Sequence, residues 1–134
     1  MSRVPTARRF LRDERGQAMT EFALVLPLLM VVLFAIVQFG IVFNHYLDVT
    51  DAVRAGARKA AVSRQTSNPV AVTKQAVIAS AGDITINPND IQVTSTWQPG
   101  TDVTVTATYP SALNLGIIEI PLPNLTSTTK ERVE

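Results

Sequence analysis

An uninterrupted apolar run from Phe22 to Phe43 constrains this chain more than any other feature. Its 22 residues carry no charge, and only Pro27, Gln38 and Gly40 interrupt the apolar side chains. As a helix rising about 1.5 Å per residue, the run would span roughly 33 Å, close to the hydrocarbon thickness of a bilayer. A small soluble domain has little use for a helix that is apolar on every face. The sequence therefore predicts one membrane-spanning helix, which Pro27 should bend or deprive of one hydrogen bond.

Positive charge is concentrated before the apolar run. Residues 1–16 contain five arginines and two carboxylates, for a net charge of +3, whereas residues 17–134 carry −2. Because basic flanks favour the cytoplasmic side, we expect a single pass through the cytoplasmic (inner) membrane, with the N-terminus cytoplasmic and the C-terminal domain extracytoplasmic. A basic tail beside an apolar helix is more simply a topology signal than a nucleic-acid site. Four basic residues follow on the far side and weaken the asymmetry: Arg54, Arg58, Lys59 and Arg64.

A cleaved secretory signal is the alternative interpretation of the apolar run. Such signals have an apolar region of about 7–15 residues followed by small residues at the cut. This run is longer, and the nearest small pair, Ala55 and Ala57, lies too far downstream. We therefore expect the helix to stay on the chain. The sequence contains no cysteine, which excludes a disulfide framework, a thiolate nucleophile and a cysteine-ligated metal.

A different processing signal precedes the run. Gly16 ends the basic tail, and the lone carboxylate of Glu21 follows five residues later, directly before Phe22. A glycine gives a peptidase an accessible and deformable backbone at the membrane surface. The residues alone also allow a simpler interpretation, in which Gly16 is a flexible joint and Glu21 is an acid favoured in the first helical turn.

Residues 15–22 (RGQAMTEF), the apolar run and residues 54–58 (RAGAR) together resemble the TadE-like family. These are pilin-like proteins of the tight-adherence (Flp, type IVb) pilus system. The likeness is dense over residues 15–62 and thin over 65–124, and the ending at 125–134 is also similar. The resemblance implies that a prepilin peptidase cuts between Gly16 and Gln17. Flp pilins carry Glu-Tyr where this chain has Glu21 and Phe22, and this departure, with the large C-terminal domain, favours a minor pilin or pseudopilin over the major pilin.

Cleavage would give Glu21 a partner, the new α-amino group of Gln17. Positions 17 and 21 are i and i+4 and share a helix face. A carboxylate near an apolar span costs on the order of 2–3 kcal/mol when deep, so it needs a partner or a place at the interface. Our hypothesis is that Glu21 neutralises the terminus of a neighbouring subunit during assembly. The alternative is an interfacial helix-start residue and nothing more.

Helical periodicity continues beyond the membrane. No proline occurs from His45 to Arg64, and Gly56 lies among alanines, where another element could approach closely. This predicts an amphipathic stem with one apolar stripe: Tyr46, Val49, Val53, Ala57, Ala60 and Ala61. A turn at Ser67-Asn68-Pro69 should end the stem, and a second helix should follow over residues 69–81, with Gly82 as its stop.

The hydrophobic period changes to two after a turn at residues 87–90. Residues 91–97 and 103–109 alternate apolar and polar side chains, which predicts a β-hairpin with one apolar face. Residues 125–133 should be a third extended piece that pairs with the hairpin, and residues 110–124, rich in proline, should be mostly loop. The predicted fold class is α+β and membrane-anchored: a long N-terminal transmembrane helix continuing into an amphipathic stem, packed on a small antiparallel β-sheet, as in pilins.

A search for chemistry in the sequence finds no catalytic residue, metal site, cofactor site or small-molecule substrate site. The single histidine, His45, is expected to be interfacial beside Tyr46. Asp48 and Asp51 share a helix but lack a further ligand, so they make a weak metal site. Side chains Trp97 and Tyr109 are expected to face the core of the hairpin rather than form a contact patch.

The leading functional interpretation is a structural one. We expect a minor pilin or pseudopilin with three parts: a basic leader at 1–16, the transmembrane helix and stem at 17–64, and an extracytoplasmic domain at 65–134. Its expected partners are the membrane, a prepilin peptidase, other pilin-like subunits and the tight-adherence assembly machinery, with the surface pilus as a second location after processing. The alternative is an uncleaved, membrane-anchored binding or accessory protein of a secretion or pilus assembly complex. A membrane-anchored enzyme is disfavoured.

Overall fold

The computed structural model describes residues 14–114 and 119–134, and the predicted leader lies mostly outside them. One helix, α1 (Glu14–Ala61), runs through the apolar run and the stem without a break, with Pro27 inside it. The stem therefore ends three residues earlier than predicted. Two residues after that end, the Ser63 backbone N–H still donates to the Ala60 carbonyl at 3.0 Å.

A second helix, α2 (Pro69–Ala79), follows the predicted turn and ends two residues early, with Ser80 as its C-cap. The side chain of Asn68 caps its N-terminus, because Asn68 Oδ1 accepts from the Ala71 N–H at 3.0 Å. Gly82 lies just beyond the helix with a φ of +63°, a conformation that glycine adopts without a steric cost.

The Asn68 cap carries a prediction. Asn68→Ala should lower the free energy of unfolding by about 1 kcal/mol, because the Ala71 N–H loses its acceptor. Urea unfolding of the full chain in detergent, followed by the fluorescence of the single tryptophan, measures the change. The control is Asn68→Asp, which keeps the side-chain acceptor and should stay within a few tenths of the parent protein. Equal losses in both variants would contradict a capping role.

A three-stranded antiparallel sheet has the order β1-β2-β5, from β1 (Ile91–Thr94), β2 (Asp102–Tyr109) and β5 (Leu125–Arg132). The predicted hairpin and its pairing with the third strand are confirmed, with β2 in the centre. The alternation on β2 is also confirmed, since Val103, Val105 and Ala107 are buried and the threonines between them are half-buried.

The core lies where the stem of α1 meets both α2 and the sheet. The stripe on α1 is buried as predicted except for Tyr46, which is 40% exposed and lines an open groove instead of the core. Gly56 is buried, and the side chain of Val77 on α2 lies directly against its α-carbon, which confirms the predicted close approach. The buried apolar residues shared by helices, loops and strands include Val49, Val53, Val77, Ile86, Ile91, Val103, Val105 and Val133.

Two sequence predictions about the sheet are wrong. The described part of residues 110–124 is not mostly loop, because β3 (Ala112–Asn114) and β4 (Glu119–Pro121) form a second antiparallel pair. Local pattern missed these strands because three residues each is too short for periodicity to register. Trp97 is not on a strand, since β1 ends at Thr94 and Trp97 has a φ of +54°. Trp97 and Tyr109 nevertheless pack against the core, half-buried, as expected.

Candidate processing and assembly surface

The predicted site residues lie in the first turns of α1. Gly16, Gln17, Glu21 and Phe22 are all exposed, and Phe22 leaves 57% of its surface uncovered. The site is therefore a helix surface and not a pocket. Its chemistry depends on which of these residues share a face.

The structure brings Gln17 and Glu21 together. Gln17 Nε2 donates a hydrogen bond to Glu21 Oε1 at 3.0 Å, across one helical turn. The bond holds the carboxylate toward position 17, which is also where cleavage after Gly16 would create an ammonium group. An exposed contact between i and i+4 contributes only about 0.2–0.5 kcal/mol, so it orients Glu21 more than it stabilises the helix.

The peptide bond between Gly16 and Gln17 lies inside α1, because the helix begins at Glu14. The Gly16 carbonyl also accepts a hydrogen bond from Thr20 Oγ1 at 2.9 Å, a contact that the sequence analysis missed. A threonine four residues after the glycine was the available signal, since such hydroxyls commonly bond back to the i−4 carbonyl. A peptidase would therefore have to unwind this turn, and Gly16 makes unwinding easier by about 1 kcal/mol relative to alanine.

The apolar part of α1 is largely exposed. Large side chains from Met19 to Phe43 stay uncovered except Val42, which is half-buried, and the helix Gly16–Ala61 is long and apolar enough to cross a membrane. Water contact of this extent is unfavourable at about 25 cal/mol per Å² of apolar surface. The helix is accordingly compatible with a single-pass membrane anchor.

The other polar candidates take separate partners. Asn44 Nδ2 donates to Asp48 Oδ2 at 3.2 Å, whereas Asp51 pairs with Arg54 at 3.4 Å. Within residues 14–114 and 119–134, no three His, Asp or Glu side chains are grouped to hold a metal ion. The His45 ring lies edge-on to the Tyr109 ring, with centroids 5.7 Å apart.

Comparison with known proteins gives one match. The family model described as TadE-like protein matches residues 16–58. The resemblance to the TadE-like family is confirmed over this segment. The matched residues begin at the predicted cleavage site and extend through the apolar run and most of the buried stem stripe. Comparison with curated proteins and with solved structures found no match.

The match over residues 16–58, the TadE-like segment, suggests involvement in tight-adherence pilus systems. That family is structural and associated with pili, and it is not a known enzyme family. The match stops within the stem, so α2 and the sheet lie outside it.

Proposed function

We propose that this chain is a minor pilin or pseudopilin of type IVb, tight-adherence pilus assembly, cut by a prepilin peptidase between Gly16 and Gln17. Residues 1–16 act as a cytoplasmic leader, 17–64 as membrane helix and stem, and 65–134 as the extracytoplasmic domain. Before cleavage the protein resides in the inner membrane. After it, the mature chain joins other pilin-like subunits and the assembly machinery, with the surface pilus as its destination.

The observation that carries this proposal is the contact between Gln17 and Glu21 at 3.0 Å within the TadE-like segment. After cleavage, the same helix face would hold the Gln17 ammonium beside the Glu21 carboxylate. The pair would neutralise both charges at the edge of an apolar helix, where an unpaired charge is costly. In an assembly the carboxylate would serve the terminus of a neighbouring subunit.

The exposed apolar surface of α1 supports the assembly role. A helix that leaves the bilayer must cover this surface with other helices, because contact with water is unfavourable. Phe22 lies at the start of that surface, and 57% of its own surface is exposed. We therefore assign Phe22 to packing between subunits, next to Glu21.

An uncleaved accessory protein is the second candidate. The exposed helix and the folded domain would serve equally well to anchor a binding module beside a secretion or pilus assembly complex. In that case Gly16 and Glu21 would only start the helix. The state of the N-terminus distinguishes the two functions.

Gly16→Leu should abolish cleavage, because a bulky side chain fills the space next to the scissile bond and stiffens the turn that must unwind. Intact mass and N-terminal sequencing of the protein purified from its own membrane measure the result. The parent chain should begin at Gln17, and the variant should keep the leader.

The matched control is Gly40→Leu, which alters a glycine of the same helix with nothing within 4 Å of its added Cβ. It should be cut like the parent. A parent chain that keeps Met1 or Ser2 in cells with an active prepilin peptidase would overturn the proposed processing and favour the accessory protein.

A further inference from the structure

The sheet runs alongside the stem with a defined direction. At the end far from the membrane, the Glu134 N–H donates to the Ala61 carbonyl at 3.1 Å. At the near end, the Tyr109 ring meets the His45 ring, two residues beyond the apolar run. Because Tyr109 pairs with Leu125, the chain between these two residues leaves the sheet at its membrane-proximal end.

That connection is an extension of the hairpin. The Leu122 N–H donates to the Ser111 carbonyl at 3.1 Å, and Ser111 Oγ donates to the Pro123 carbonyl at 2.9 Å. These bonds continue the pairing of β2 with β5 into the pairing of β3 with β4. Strand β3 also contacts α1, so the hairpin β3–β4 stays beside the helix.

An open groove of about 400 Å³ lies between the hairpin base and α1. On the helix side it is lined by Val42, which belongs to the apolar run, and Tyr46. On the other side are the apolar residues Leu122, Pro123 and Leu125, together with three polar residues, Ser111, Asn124 and Thr126. The groove therefore lies at the level where α1 leaves the hydrocarbon.

The exposed side chains of the hairpin are suited to lipid. Ile120 leaves 45% of its surface uncovered although it lies opposite Leu113. Residues 110–124 contain no lysine or arginine, and Glu119 is their single charge. The outer face of the main sheet differs, since it carries threonines bonded to each other, such as Thr106 and Thr128 at 2.9 Å.

We propose that the hairpin β3–β4 rests in the outer interfacial layer of the membrane, with Ile120 in contact with lipid and lipid filling the groove. Lipid is the occupant because the groove is continuous with the membrane-spanning surface at Val42. Glu119 then lies among the headgroups, and Tyr46 occupies the interface that tyrosine favours. The hairpin gives the domain a second attachment beside α1 and fixes its orientation on the membrane. This inference rests on the anchoring of α1 and not on cleavage at Gly16.

Spin labels on single cysteines test the proposal, because the chain has no cysteine of its own. The full chain is reconstituted in phosphatidylcholine vesicles with a nitroxide at Ile120→Cys, Val62→Cys or Val31→Cys. Val62 is the matched control, an exposed apolar residue (58%) at the far end of the stem. For each label, the accessibility to oxygen is divided by the accessibility to a water-soluble nickel complex. This ratio should be severalfold higher at Ile120 than at Val62. It should be highest at Val31, within the span.

Each contrary result has a distinct meaning. A ratio at Ile120 equal to that at Val62, with Val31 in lipid, overturns the proposal and leaves the membrane anchor intact. If the accessibility ratios at all three sites are those of labels in water, both the proposal and the anchoring of α1 in the membrane are wrong. If the label at Ile120 becomes aqueous when lipid is added in excess over protein, the occupant is a second copy and lipid contact is wrong.

Discussion

Gly56→Leu should lower the free energy of unfolding by about 2 kcal/mol, because the backbone of α1 at this position is in contact with α2. A Cβ added at Gly56 would collide with Val77 Cγ2, and it would lie 3.5 Å from the Thr73 carbonyl oxygen. Leucine is a better helix former than glycine by about 1 kcal/mol. The steric cost of overpacking must therefore exceed this gain before the variant becomes less stable than the parent. Urea unfolding of the full chain in detergent, followed by the fluorescence of Trp97, measures the difference.

Gly40→Leu is the matched control for this stability prediction. It makes the same change in the same helix, where nothing lies within 4 Å of the added Cβ. The Gly40→Leu variant should keep the gain in helix propensity without a steric cost, so it should be no less stable than the parent protein. Equal losses in both variants would mean that the leucine acts through the helix itself. No loss at Gly56 would mean that α2 does not pack closely on α1.

Glu21→Ala should leave cleavage intact and lower incorporation into sheared surface pili by on the order of 30- to 100-fold. Without the carboxylate, the ammonium of mature Gln17 would enter an apolar helix assembly unpaired, at a cost of about 2–3 kcal/mol. Each 1.4 kcal/mol corresponds to about a tenfold change in an equilibrium constant. Immunoblots of membrane and sheared fractions, with intact mass for processing, measure both effects.

Two further variants separate charge from hydrogen bonding at this site. Glu21→Gln keeps a group that can bond to the Gln17 side chain but removes the charge, so it should fail to assemble as Glu21→Ala does. Thr20→Ala removes the hydrogen bond to the Gly16 carbonyl and keeps the carboxylate, so it should assemble normally. Full assembly of Glu21→Ala would show that Glu21 has no role as a counterion.

The sequence alone was sufficient to predict an element wherever the period of its apolar residues identifies it. The apolar run, the stem stripe through Val49 and Val53, and the alternation on β2 each repeat with the period of the element that they form. The resemblance over residues 16–58 required only the order of a short motif and an apolar run. Positions 17 and 21 share a face of any helix, so their contact also followed from spacing.

Other features depend on residues far apart in the chain. Strands β3 and β4 are each three residues long, and they form because they pair with each other. The alternation predicts Trp97 as a strand residue, yet β1 ends at Thr94 and Trp97, with a φ of +54°, lies in the connection to β2. Tyr46 fits the helical stripe but meets the open groove instead of the core.

The sequence by itself determined that the apolar run is a helix: its length and composition make that helix compatible with a membrane span, whatever the rest of the chain does. What lies beside its outer end was decided only by the tertiary structure. The packing of the sheet on α1 sets Tyr109 next to His45, and the pairing of Tyr109 with Leu125 leaves the base of the hairpin β3–β4 beside Val42. Periodicity assigns a residue to a face of its own element, whereas the neighbour on that face is chosen by the packing of all the elements together.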